Sequence, residues 1–166
     1  MHLEDSLAAA EIVSRFQGPI IDVGSGGGAP GIPLAAAFPQ RRVTLLEANE
    51  RKCAFLERVV VEFPNVSVVR GRAEEQAVDR FGVAAAKALA PPPVAAEWCL
   101  PLVGPGGAVV LWVGPTADPD ATARVARQLN AELDTAEAGF FVLRKLGATP
   151  PGFPRRPGVA RKRPLG

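Results

Sequence analysis

The chain has 166 residues, 48% of them hydrophobic, which is one domain's length with enough apolar material for a core and no run of about 18 apolar residues to span a membrane. One histidine, at position 2, and two cysteines, Cys53 and Cys99, at no metal-like spacing, exclude a zinc site and any triad built on a histidine base. The formal net charge of +2 hides an asymmetry: residues 138–166 hold seven basic and no acidic residues, while the other 137 hold 12 basic and 17 acidic, which points to a polyanionic partner touched by one end.

The opening Met1-His2-Leu3-Glu4-Asp5-Ser6 is acidic and lacks the basic region of a secretory signal. With its free thiols, this predicts a cytoplasmic protein. Residues 3–16 carry apolar side chains at roughly helical spacing, and Gly18-Pro19 ends that helix. Ile20-Ile21-Asp22-Val23 is a short apolar run entering a glycine cluster, hence a buried strand. Pro30 suits the first turn of a helix that Pro39 stops. Val43 to Glu47 is the second strand. Asn49 caps a helix through about Phe63, and Pro64-Asn65 stops it. Val66 to Val69 is the third strand, and residues 73–79 form a short helix. Val83 to Ala88 is a small-residue fourth strand, and Pro91-Pro92-Pro93 opens a helix to about Leu100. Gly104 to Gly107 is a turn before a fifth strand, Ala108 to Val113. Residues 117–131 are helical, and Glu132 to Leu146 form two antiparallel strands around Ala138-Gly139. The last stretch, 147–166, is rich in Pro, Gly and Arg and need not pack.

Strand and helix alternate five times. That predicts an α/β fold, a mostly parallel Rossmann-like sheet with helices on both faces and an antiparallel C-terminal strand pair. Residues 1–146 form the folded domain and 147–166 a basic tail.

The most informative stretch runs from Asp22 to Gly31, with five glycines in the eight residues from Gly24. A tight turn needs fewer. Ligands of such sheets sit at the carboxyl end of the first strand. Gly26 to Gly31 fits the spacing of a nucleoside-triphosphate loop, but Ile32-Pro33 stands where Lys-Ser/Thr is required. Gly24-x-Gly26-x-x-Ala29 fits a dinucleotide fingerprint. Asp22, however, sets a carboxylate beside the ligand's reactive end. That suits a cation such as the amino group of S-adenosylmethionine, directly or through water, and not a pyrophosphate. Glu47, ending the second strand, can accept from both ribose hydroxyls of either ligand.

These residues resemble a known family. Asp-Val-Gly-Ser-Gly-Gly-Gly-Ala-Pro-Gly-Ile-Pro-Leu at 22–34 is similar to the first motif of the bacterial 16S rRNA (guanine-N7) methyltransferases, the glucose-inhibited division protein B family. Leu3-Glu4-Asp5-Ser6-Leu7 resembles the family's early helix. Leu45-Leu46-Glu47 with Arg51-Lys52-Cys53-Ala54-Phe55-Leu56 resembles its second strand and helix. Phe153 to Gly158 and Arg161 to Leu165 resemble its basic C-terminal signature. The resemblance implies a class I S-adenosylmethionine-dependent methyltransferase fold. The activity it implies is methyl transfer to N7 of a guanosine in the decoding-centre loop of the small ribosomal subunit, and the protein would be a monomer without a metal.

Carried over by position, the cofactor contacts are Gly24, Ala29, Glu47, Ala73 and Glu74, to which the loop reading adds Asp22, Ser25 and Gly26. The family's arginine after the fourth strand falls on Lys87, a candidate to contact the cofactor carboxylate, an RNA phosphate or guanine O6. Its Lys-Gly after the fifth strand is Val113-Gly114 here. The family also carries further N-terminal helices, so residues 1–18 read as the remnant of that region in a short form. Arg155, Arg156, Arg161, Lys162 and Arg163 are the expected RNA contacts, and Phe153 either stacks on a base or anchors the tail. Trp98 and Trp112 read as core. Guanine N7 carries a lone pair and no proton, so no catalytic base is expected. On these grounds deletion of 153–166 leaves cofactor binding intact and weakens RNA binding. Two other functions compete: an NAD-dependent oxidoreductase, which lacks an acid/base pair here, and a non-catalytic relative that binds cofactor or RNA.

Overall fold

The computed structural model describes residues 3–137 and 139–166; Met1, His2 and the Ala138 of the expected last turn lie outside the described residues. Seven strands form one sheet in the order β3-β2-β1-β4-β5-β7-β6. These are β1 (Ile20–Val23), β2 (Val43–Glu47), β3 (Val66–Arg70), β4 (Phe81–Lys87), β5 (Val103–Trp112), β6 (Ala131–Glu137) and β7 (Phe140–Lys145). The first five run parallel, and β7 inserts antiparallel between β5 and β6. Strand order therefore reverses between β1 and β4, and the carboxyl edge there is where such sheets bind ligands.

The helices are α1 (Leu3–Ser14), α2 (Gly31–Ala37), α3 (Glu50–Val59), α4 (Pro92–Cys99), α5 (Pro119–Gln128) and the short α6 (Val159–Lys162). Caps fix several of them. The Asn49 side chain accepts the Lys52 amide at 3.0 Å, and Asp118 accepts the Asp120 amide at 2.9 Å with Pro119 opening α5. Central strands buried on both faces read as continuous apolar runs, which is why β1, β2 and β4 are legible in the sequence. One core gathers Ala9, Val13, Leu34 and Leu56 against Ile20, Val83, Ala85 and Val110. The other gathers Ala96, Cys99, Val125 and Ala126 against Ile21, Ala84, Val109 and Leu143. No helix among the described residues is long and apolar enough to cross a membrane.

Two elements differ from expectation. Gly104 to Gly107 belong to β5: Phe81 pairs with Val103 but Val83 with Ala108, so the glycine-rich stretch bulges out within the strand. The stretch expected to form a helix over 73–79 contains only a single tight turn, Ala73–Glu75.

The C-terminal stretch also packs, although nothing periodic marks it. Thr149 gives its amide and hydroxyl to Asp79, and Phe153 and Leu165 lie against the α4–α5 core. Arg155 clasps both carboxylate oxygens of buried Glu97, its Nε at 2.7 Å from Oε2. Ala160 of α6 is buried. Each anchor is a single residue meeting a partner far away in sequence, which a periodicity search does not detect.

Candidate active site

A cavity of about 340 Å³ opens at the carboxyl edge of β1, β2 and β4, within the usual range of small-molecule sites, roughly 300–1,000 Å³. Val23 and Gly24, Leu46 to Ala48, and Gly71 to Glu74 form its floor and sides; Leu89, Trp98 and Arg161 close it.

The glycine loop is tied to β2, since the amides of Gly24 and Ser25 both reach the Leu46 carbonyl, at 2.9 and 3.1 Å. Gly24 has φ +72°, and a Cβ there would meet Leu89 Cδ1 at 2.6 Å. A side chain would strain the backbone and fill the cradle. Glu47 is buried yet lines the cavity. Its Oε1 accepts the Gly26 amide at 3.0 Å and its Oε2 the Asn49 amide at 2.8 Å. Each oxygen keeps a further lone pair, so the carboxylate can accept from two vicinal hydroxyls while the loop holds it still. This donor and acceptor set fits the ribose of an adenosyl cofactor.

Asp22 is placed differently from its expectation. It lies 1% exposed beneath the loop and does not line the cavity; its Oδ2 accepts the Gly31 amide at 3.0 Å, at the first residue of α2. Its Oδ1 has no protein partner among the described residues. Burial pushes this carboxyl up to about 7, against the opposing pull of the Gly31 amide and Ser25 hydroxyl and with added repulsion from Glu47.

The folded protein therefore holds a proton that the unfolded chain releases between its ordinary value of 3.8 and about 7. The stability from this group is full below that window and falls as pH rises through it, at about 1.4 kcal/mol per pH unit. Denaturant unfolding of the wild type and of Asp22→Asn should diverge across about pH 4–8, the wild type losing stability relative to the variant as pH rises. Parallel profiles would remove Asp22 as the cause.

Of the other expected contacts, Ala73 and Glu74 line the cavity. The Glu74 side chain, however, is turned to the C-terminal segment, its Oε2 accepting the Gly158 amide at 3.0 Å. Ser25 is buried with its hydroxyl on the Asp22 carbonyl, and Ala29 lies further along the loop. Neither lines the cavity, and nor do Gly26, which touches it through Glu47, or half-buried Lys87. Lys87 ends β4 in register with Trp112 of β5. Val113 and Gly114 line a second cavity of about 370 Å³ with Phe140 and Phe141. Arg156, Arg161, Lys162 and Arg163 are exposed, whereas Arg155 is engaged by Glu97.

Lys52, Leu89 and Trp98 also line the cavity. Trp98, expected in the core, is half-buried at its edge. Leu89 lies in the connection between β4 and α4, and Trp98 sits at a helix position that reads as core, so only the fold brings them to the cavity. Lys52 has one signal in the sequence, its place one turn after the cap at Asn49.

Five parallel strands that reverse order between β1 and β4, with β7 inserted antiparallel between β5 and β6, above a glycine cradle and an acid at the end of β2, make up the class I methyltransferase fold. A Thermotoga maritima S-adenosylmethionine-dependent O-methyltransferase shares it, with TM-score 0.68 at 17% identity over 90% of this chain and 67% of its own. The sequence model of the GidB family, rRNA small subunit methyltransferase G, matches residues 1–138. Two relatives named ribosomal RNA small subunit methyltransferase G agree along nearly the whole chain. One from Synechococcus elongatus is 37% identical, and one from Pelotomaculum thermopropionicum 35%; each match covers 99% of this chain and 77% of the relative. The chain belongs to the rRNA small subunit methyltransferase G family.

Proposed function

We propose that this protein transfers the methyl group of S-adenosylmethionine to N7 of a guanosine in small-subunit ribosomal RNA. One observation favours an adenosyl sulfonium over a dinucleotide. A dinucleotide's pyrophosphate would occupy the N-terminus of the helix after β1, and here the Asp22 carboxylate already takes the first amide of α2.

When bound, the cofactor supplies a methyl group on a sulfonium, a good leaving group. Glu47 orients the ribose, and Gly24 lets the backbone approach. Ala73 and Leu89 offer an apolar surface to the base. Asp22 holds the loop to α2 and does not reach the cofactor. N7 attacks through its own lone pair, so the chain's task is alignment and exclusion of water, which can lower a barrier by about 7–11 kcal/mol in ideal intramolecular cases. Lys87 is the candidate to contact a phosphate or guanine O6 at the β4 edge.

Arg156, Lys162 and Arg163 supply the phosphate contacts of the RNA interface, while Arg155 anchors the segment. The small subunit is the partner, and the protein acts as a monomer. Radiolabelled methyl transfer to unmodified small subunits, mapped to the base, tests the activity. Label at a guanine N7 is expected; none, or label on another atom, refutes the assignment. Removing the three exposed cations together should lower the log–log salt slope of RNA binding by roughly 0.7–0.9 for each phosphate no longer neutralised. An unaltered slope would place the RNA elsewhere.

A further inference from the structure

Arg161 belongs to the basic C-terminal segment, yet it lines the same cavity as Glu47 and Ala73. Its guanidinium carbon lies 5.3 Å from the centre of the Trp98 ring, within cation–π range. Three further interactions fix its place. Arg155 clasps Glu97, the residue before Trp98 on α4, so neighbouring residues of one helix receive both arginines. The Gly158 amide is bonded to Glu74, which sets the start of α6 beside the Ala73–Glu75 turn. Burial of Ala160 fixes the rotation of α6.

We propose that Arg161, stacked on Trp98, is a cofactor-binding residue that closes the adenine end of the cavity, making the C-terminal basic segment a wall of the cofactor site. This rests on the S-adenosylmethionine reading of the cavity. Glu47 fixes the ribose in the middle of the site. The Gly24 cradle takes the amino-acid end, so the base extends toward Ala73, Leu89 and Trp98. A planar guanidinium stacks on a purine as it does on an indole, and an ammonium does not. A chain cut before residue 153 should therefore lose cofactor affinity as well as RNA affinity, contrary to the expectation from sequence.

The test is calorimetry on the full chain without RNA, with S-adenosylhomocysteine and adenosine as probes. Arg161→Ala should weaken both by about the same factor, roughly tenfold. Arg161→Lys keeps the charge and should recover only part of the loss. Pro164→Ala, exposed in the same segment and outside the cavity lining, should leave both affinities unchanged. Unchanged affinity in Arg161→Ala, full recovery by lysine, or a loss confined to S-adenosylhomocysteine overturns the proposal. Equal losses in Arg161→Ala and Pro164→Ala also overturn it, since they would show only a loosened segment. A wild-type chain that binds neither probe would instead refute the assignment of the cavity.

Discussion

Replacing Lys145 with methionine is expected to destabilise the protein by about 3 kcal/mol or more. Lys145 ends β7, and its side chain is 0% exposed. Its ammonium donates its three hydrogens to the carbonyls of Leu100 and Val103, each at 2.7 Å, and to Thr149 Oγ1 at 2.8 Å, and it is ion-paired with Asp79 Oδ1 at 3.2 Å. Burial lowers its proton affinity, and the Asp79 carboxylate opposes that. For Asp79, burial pushes upward, but the Thr149 hydroxyl and amide and the Lys145 ammonium outweigh it and hold the carboxyl below its ordinary value. Methionine matches the lysine stem but withdraws the ammonium from both carbonyls, of which that of Leu100 keeps only the Val103 amide, and leaves the carboxylate without its cation. The knot joins β7, the approaches to β4 and β5, and the first residues of the C-terminal segment. Its loss should therefore be visible as a lower urea midpoint at an unchanged slope. A shift of less than about 1 kcal/mol would mean that the cluster is readily replaced by apolar packing, as some buried pairs are.

Lys145 also marks where charge patterning misleads. It counts with the basic end of the chain, and so does Arg155, yet both are tied to carboxylates inside the fold. A formal charge in a sequence does not say whether its partner lies 66 residues away, as Asp79 does. The sheet is legible because its signals are local: continuous apolar runs for buried strands, Asn49 as a cap, prolines as stops. Glu47 is legible as a cavity residue because it ends the strand beside the glycine loop. Asp22 is not, because spacing puts it near the ligand but does not say on which side of the loop its carboxylate lies. The wall formed by Trp98 and Arg161 depends on α4 and α6 meeting, and no local pattern encodes that. The C-terminal segment thus has two properties at once, an exposed cationic face and a packed face, and composition reports only the first.

Replacing Glu47 with alanine should weaken S-adenosylhomocysteine binding by about a hundredfold or more, because two charge-assisted hydrogen bonds of about 1.5–3 kcal/mol each disappear. The effect has a second source. Glu47 also holds the Gly26 and Asn49 amides, so the alanine leaves the glycine loop and the start of α3 without their shared acceptor. The Glu47 carbonyl accepts the Cys53 thiol at 3.2 Å and the Gly71 amide at 3.1 Å through the backbone. Those bonds survive, so the cavity's outline should persist. Glutamine is a sharper probe: its amide nitrogen must face one of two N–H donors, so it cannot satisfy both and should recover little of the affinity. A carboxylate that holds the ribose, as proposed for Glu47, has no part in the transfer of the methyl group. In steady-state methylation the KM for the cofactor should rise while kcat at saturation stays within a few-fold of wild type. A large fall in kcat with KM unchanged would move Glu47 from holding the cofactor to aligning the reacting atoms. Binding within twofold of wild type would take the ribose away from β2 altogether.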